Sequence, residues 1–222
     1  MYQHIPRTHL SQYKMTQLIN EWVYLTPARV CARKLSLPYA TVALWYTKIR
    51  QYIAALPDPP PFSGIVEIDE TYVGMRHPDI IATGGYGKVA IFGMKERSSN
   101  HVWATVVPHT DHAVLIPIIQ RRIVPGSTIH SDGYGAYYHL NQHGYTHHVV
   151  IHEHTYVSQF GVHTNGIESF WAYYQNILRP LRGLPREHYQ LHLKEAEKRF
   201  NTLNEKKLRL FIRRLLRTEG KN

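Results

Sequence analysis

Three acidic residues lie far apart in the chain: Asp69 in IVEIDETYVG, Asp132 in IHSDGYGAYY and Glu168 in HTNGIESFW. Each falls in a different local pattern. Asp69 interrupts an apolar, β-branched run, Asp132 closes another run just before Gly133 and Gly135, and Glu168 lies on an amphipathic stretch that ends at Pro180. If a fold brings them together, three carboxylates repel, and a pair of divalent cations is the usual physical reason for tolerating that. The charge balance says what such a site would meet. The 222 residues carry 26 Lys and Arg against 16 Asp and Glu, a formal charge of +10, which points to a polyanion and to nucleic acid in particular.

The elements that must position these acids follow from periodicity. Strand alternation over 65–73 puts Glu67, Asp69 and Thr71 on one face and Val66, Ile68, Glu70 and Tyr72 on the other. Asp69 and Glu70 therefore diverge, with Glu67 a secondary acid beside Asp69. Asp132 sits where glycines let the chain turn at the carboxyl end of a strand, an edge favoured by ligands in α/β sheets; the same position suits an Asx turn that merely caps the loop. On a helix over 163–179, Glu168, Ala172, Gln175 and Arg179 share one stripe, while Ile167, Phe170, Trp171 and Tyr174 pack elsewhere.

Along the chain, the first 56 residues read as helices, and PDPPPF (57–62) interrupts the pattern as a linker. Strands follow at 65–73, 88–96, 101–108, 127–132 and 147–153, with a helix capped by Asp111 between the third and fourth. Helices at 163–179 and 187–201 precede a basic C-terminal helix over 204–222. The fold class is α/β, a sheet domain over 63–203 preceded by a small helical domain. With 43% hydrophobic residues the chain can bury a core, and no apolar run reaches the ~20 residues of a membrane helix. The N-terminal MYQHIPRTHL lacks a secretory stretch. The expectation is a soluble, cytoplasmic, nucleoid-associated protein with no membrane role. Its single Cys31 excludes an intramolecular disulfide and a multi-cysteine zinc ribbon.

Within TPARVCARKLSLPYATVALWYTKIRQYI, Thr26 and Pro27 form a helix start, Ser36 to Pro38 a three-residue turn, and Tyr39 to about Gln51 a second helix. Val30, Leu37, Val42 and Trp45 close a small core. This is helix-turn-helix geometry, although an ordinary helical hairpin has the same pattern. Arg33, Lys34, Lys48 and Arg50 suit phosphates, whereas the outward positions Tyr39, Ala40, Ala43, Leu44 and Thr47 are poor in base-reading side chains. Of the 16 histidines, His147, His148, His152 and His154 cluster around the fifth strand and read as surface or partly buried residues, with zinc binding as the rival. His130 is a supporting candidate behind Asp132, and His163 a candidate to approach DNA near Glu168.

VEIDETYVG, SDGYGAY and NGIESFW, in this order, resemble the catalytic blocks of small prokaryotic insertion-sequence transposases of the DDE superfamily, which have an RNase H-like core. Sixty-two residues separate Asp69 from Asp132 and 35 separate Asp132 from Glu168; the second spacing is characteristic of that superfamily. The resemblance covers about 63–203, including EAEKRFN. It implies an RNase H-like mixed sheet flanked by helices, with two divalent ions, Mg²⁺ or Mn²⁺, held by Asp69, Asp132 and Glu168. It also implies double-stranded DNA as partner, both transposon ends and target, and a homodimer or higher oligomer on that DNA. The helix-turn-helix fits as an end-binding module. Two departures stand out. Gln175 occupies a position where many relatives have Lys or Arg for gripping DNA, with Arg179 one turn further as a substitute; and some relatives place the third functional residue at the Asn of this block, here Asn165. Glu168 is preferred because a carboxylate binds these cations better than an amide. The alternatives are a catalytically impaired, transposase-derived DNA-binding protein and a structure-selective nuclease on the same core.

Overall fold

A computed structural model describes residues 9–74, 88–150, 162–181, 183–202 and 204–218. In chain order its regular elements are α1 (Gln12–Val23), α2 (Ala28–Leu35), α3 (Tyr39–Ala54), β1 (Ile65–Val73), β2 (Val89–Glu96), β3 (Val102–Val107), α4 (His112–Arg122), β4 (Thr128–Ser131), β5 (Thr146–Val149), α5 (Asn165–Leu178), α6 (Tyr189–Thr202) and α7 (Glu205–Thr218). They form two compact units, 58–201 and a helical unit of 1–57 with 202–222.

In the sheet unit the strand order is β3-β2-β1-β4-β5. β1, β2 and β3 pair antiparallel, while β4 joins β1 and β5 in parallel. A parallel neighbour needs a crossover, and α4 supplies it between β3 and β4. Asp111 caps that helix as expected, accepting from the Val114 N–H at 3.0 Å. Because β1 is central, both its faces are covered: Val66 and Ile68 pack with Leu115, Ile116 and Ile119 of α4, while the opposite layer contains Ile167, Phe170 and Trp171 of α5 with Leu193 and Ala196 of α6. This mixed sheet with helices on both sides is the RNase H-like arrangement implied by the resemblance.

β3 lies at the sheet margin, where unpaired backbone groups invite another strand. Side chains of α6 occupy them instead. Asn201 accepts from the Val102 N–H at 2.8 Å and donates to the Val102 carbonyl at 2.7 Å; Glu197 accepts from Ala104 N–H at 3.0 Å and Gln190 from Val106 N–H at 2.8 Å. EAEKRFN thus acts partly as a cover for a strand. The proline-rich segment is also pinned to this unit from Asp58 onward. Phe62 exchanges backbone hydrogen bonds with Arg122 and Val124, and Asp58 accepts from the Trp103 indole at 2.8 Å.

The helical unit buries Leu18, Trp22, Cys31, Val42, Trp45 and Ile49 together with Leu208, Ile212, Leu215 and Leu216 of α7. The basic C-terminal helix, set apart in the sequence reading, therefore shares the core of α1 to α3. Ser36, with φ of 51°, ends α2, and Pro38 precedes α3. The start of α2 differs by one residue from expectation: Pro27 is the capping position, extended at φ −56° and ψ 141°, and Thr26 makes no side-chain cap there. The Thr26 carbonyl instead accepts from the Tyr46 hydroxyl at 3.2 Å. Val30 is half-buried, while Val42 and Trp45 are buried.

Candidate active site

β1 and β4 run parallel with Glu67 opposite His130. Asp69 lies two residues beyond Glu67 on β1, and Asp132 follows directly on the last residue of β4, Ser131, so the two acids continue from adjacent paired positions. Their proximity is electrostatic as well as topological. Burial, then the negative charge of Asp132, pushes the Asp69 carboxyl up to about 7; Glu168 adds to the rise, while hydrogen bonds from Trp171 and the Glu70 backbone oppose it. Asp132 and Glu168, far from Asp69 in sequence, thus both act on it.

Each is held by a short local device. Asp69 Oδ2 accepts from Trp171 Nε1 at 2.9 Å and Oδ1 from the Glu70 N–H at 2.9 Å. Gly93 pairs directly with Asp69 across the sheet, and a Cβ there would lie 2.5 Å from Trp171 Cη2. A glycine inside a strand often marks such a close approach. Here it makes the seat from which the indole reaches Asp69. Asp132 Oδ1 accepts from the Tyr134 N–H at 3.1 Å, so an Asx turn and a place beside Asp69 coexist. Glu168 lies exposed in the first turn of α5, with Oε1 accepting from Thr164 Oγ1 at 2.8 Å. Asn165 is the first residue of the same helix and is also exposed.

Glu67 has a different occupation from that of a secondary acid. It is buried, accepts from Arg97 Nε at 2.8 Å and from the Ile167 N–H at 3.0 Å, and so caps the start of the helix that presents Glu168. At Gly166 a Cβ would come 2.6 Å from Glu67 Oε2, so a larger residue there would displace that carboxylate. His163 turns toward this acid, with Nδ1 3.4 Å from Glu67 Oε1, and its carbonyl accepts from Arg97 Nη2 at 2.7 Å. Its side chain remains 29% exposed. His130 lies in the row Glu67, His130, His148 across β1, β4 and β5. Burial, then the charge of Arg97, lowers its imidazole to about 4, so it is neutral at ordinary pH.

Glu70, diverging from Asp69, accepts from the Tyr137 hydroxyl on the opposite face of β1. Burial first, with Asp132 and Asp69 adding to it, pushes this carboxyl up to about 7 against the lowering effect of Tyr137.

Glu168, Ala172, Gln175 and Arg179 all lie exposed along α5, as the stripe predicts, while Ile167, Phe170, Trp171, Tyr174 and Ile177 are buried. Among the described residues, no three His, Cys, Asp or Glu side chains already converge as a set of metal ligands. His147 bonds Ser131 at 2.8 Å, and His152 and His154 lie outside the described residues. In the helical unit, Arg33, Lys34 and Tyr39 are exposed, while Thr47, Lys48 and Arg50 are half-buried. Lys34 pairs with Glu21 at 3.0 Å, and Lys48 and Arg50 lie over the rings of Trp45 and Tyr46.

The sheet and its match to known sequences put the chain in the DDE class built on an RNase H-like core. Residues 61–201 match the ISXO2-like transposase domain, and the chain belongs to that family. An uncharacterized transposase-like protein of Haemophilus influenzae is 35% identical over 100 residues, which span 45% of this chain and 80% of that protein. Two solved structures also align. The catalytic core domain of BIV integrase is 17% identical, with 62% of this chain and 82% of that chain covered and a TM-score of 0.39. A chain of the simian T-cell lymphotropic virus intasome, solved in complex with PP2A regulatory subunit B56 gamma, is 16% identical, with 67% and 52% covered and a TM-score of 0.43.

Proposed function

We propose that this protein is a DNA transposase that cuts strands at transposon ends and joins them to target DNA, with Asp69, Asp132 and Glu168 as its catalytic acids. The observation that carries this reading is the convergence of the acids where β1 and β4 lie side by side, Asp69 being raised by burial first and then by the charges of Asp132 and Glu168. Carboxylate oxygens are the hard donors that suit Mg²⁺ or Mn²⁺, and a repelling acid cluster is the setting that such cations relieve. Asp69 and Asp132 form the central pair, and Glu168 is the third ligand. Bound there, two cations supply activation of the attacking oxygen and stabilisation of the leaving oxygen in an in-line displacement. Trp171 and Thr164 hold Asp69 and Glu168 by hydrogen bonds from their neutral side chains. Glu67, capping α5 from the sheet, fixes the turn that carries Glu168.

In the first reaction water attacks a phosphodiester at the element's end. In the second, the liberated 3′-hydroxyl attacks a target phosphodiester, so the same in-line geometry serves both. The α2–α3 pair supplies basic contacts to double-stranded DNA, and coordinated processing of two ends calls for at least a homodimer. Glu168 is assigned as the third residue over Asn165 because its charge acts on Asp69. Asp69→Ala, Asp132→Ala and Glu168→Ala should each abolish strand transfer while DNA binding, read by mobility shift, persists. Normal transfer by the Glu168 variant with failure of Asn165→Ala would reverse the assignment.

A further inference from the structure

The positive excess of the chain is confined to one of its two units. Residues 1–57 and 202–222 carry 14 Lys and Arg against three acids, a formal +11; residues 58–201 carry 12 against 13, a formal −1. Half of the basic residues described in the helical unit lie on α7.

Leu208, Ile212, Leu215 and Leu216 turn one face of α7 into the core. Arg209, Arg213 and Arg217 recur every four residues and so form a row along one flank of that face, each of them half-buried. The Nε atom of each is buried and has no hydrogen-bond partner. The buried Nε atoms pack the stems of the row against the helical unit, and the guanidinium ends beyond them carry the donors that a ligand can reach. Arg209 is steadied over the Tyr24 ring, with its centroid 5.6 Å away, and donates from Nη2 to the Tyr24 hydroxyl at 3.0 Å. The two acids described in this unit do not answer the row: Glu21 is engaged by Lys34, and Glu205 lies exposed in the first turn of α7 itself.

We infer that Arg209, Arg213 and Arg217 are a phosphate-contacting row for the backbone of duplex DNA, held in the same rigid core as the α2–α3 pair. This rests on the DNA-transposase reading above. The row supplies sequence-independent grip, which α3 needs because its exposed Tyr39, Ala40 and Leu44 offer few donors to base edges. Arginine is suited to this by its planar fork of donors, which matches phosphate oxygens. A phosphate row of this kind releases counterions on binding, and that release has a measurable signature.

The test is the salt dependence of full-length protein binding to a fluorescent, mixed-sequence DNA duplex, read by anisotropy. Replacing all three arginines by Gln should make the slope of log K against log salt shallower by about 2.7, and lower affinity by roughly 100-fold or more at ~0.1 M salt. The three-lysine counterpart should keep most of the slope, because the charges remain. Circular dichroism separates lost contacts from lost folding. If the Gln triple does not fold, Arg213→Gln alone should remove about 0.9 of slope. Wild-type binding that is unchanged in slope and affinity in these folded variants overturns the row. No duplex binding by the wild-type chain at any salt would instead defeat the DNA-transposase reading on which it rests.

Discussion

Asp69 is a carboxyl made uncomfortable by its surroundings and kept in place by two neutral donors. Its type and position were legible in the sequence, since an acid at an alternating position of an apolar strand is conspicuous. The residues that hold it were not. Trp171 reads as core by its spacing, and nothing in the local pattern shows that its indole reaches across 102 positions to Asp69. Gly93, inside VAIFGMKE, was the available signal. Glu67 and Gly166 meet across a similar separation and escape notice for the same reason. Trp171→Phe removes a hydrogen bond that lowers the Asp69 pKa, so the acid limb of the cleavage pH profile should move to higher pH. An unmoved limb would detach the indole from the chemistry. A linked effect concerns stability. Asp69 and Glu70 have folded values near 7, above their ordinary carboxylate range, so the folded state binds more protons than the unfolded one and loses stability as pH rises from about 4 to 7. Cations bound at the proposed site would counter that loss. Mg²⁺ or Mn²⁺ should therefore raise the melting temperature more at pH 8 than at pH 5, as scanning calorimetry can show, and an equal rise at both would contradict it.

At the scale of elements, most of the fold was readable because strands and helices here follow their periods closely. β1 spans Ile65–Val73 as the alternation predicts, and Asp111 caps α4. The misses are tertiary. Pro27 precedes α2 in an extended conformation rather than occupying its first turn, and α7 joins helices more than 150 positions away through its leucine face. No window of sequence contains that information. The spacing within EAEKRFN has a physical role: Glu197 and Asn201 stand four apart, one helical turn, facing alternate residues of β3. Asn201→Ala leaves the Val102 N–H and carbonyl without their partner. It should cost about 1–3 kcal/mol in urea unfolding and promote association through the exposed margin, visible as light scattering. Unchanged stability and dispersity would show that the margin needs no cover.

At the scale of the whole molecule the two units differ in charge. Its nearly neutral sheet unit holds the acids, and its strongly basic helical unit holds the α2–α3 pair and α7. Among the described residues no helix is long and apolar enough to cross a membrane. Such a division suits a protein in which one unit grips a polyanion and the other acts on it, consistent with its place among ISXO2-like transposase domains. The most direct measurement is cleavage and joining of DNA that carries the element's own ends, followed on a sequencing gel. The wild-type chain should nick those ends and join the 3′-hydroxyls to target DNA with Mg²⁺ or Mn²⁺, and lose both reactions with chelator or in the Asp69→Asn, Asp132→Asn double variant. Joining that survives in the double variant would contradict the account.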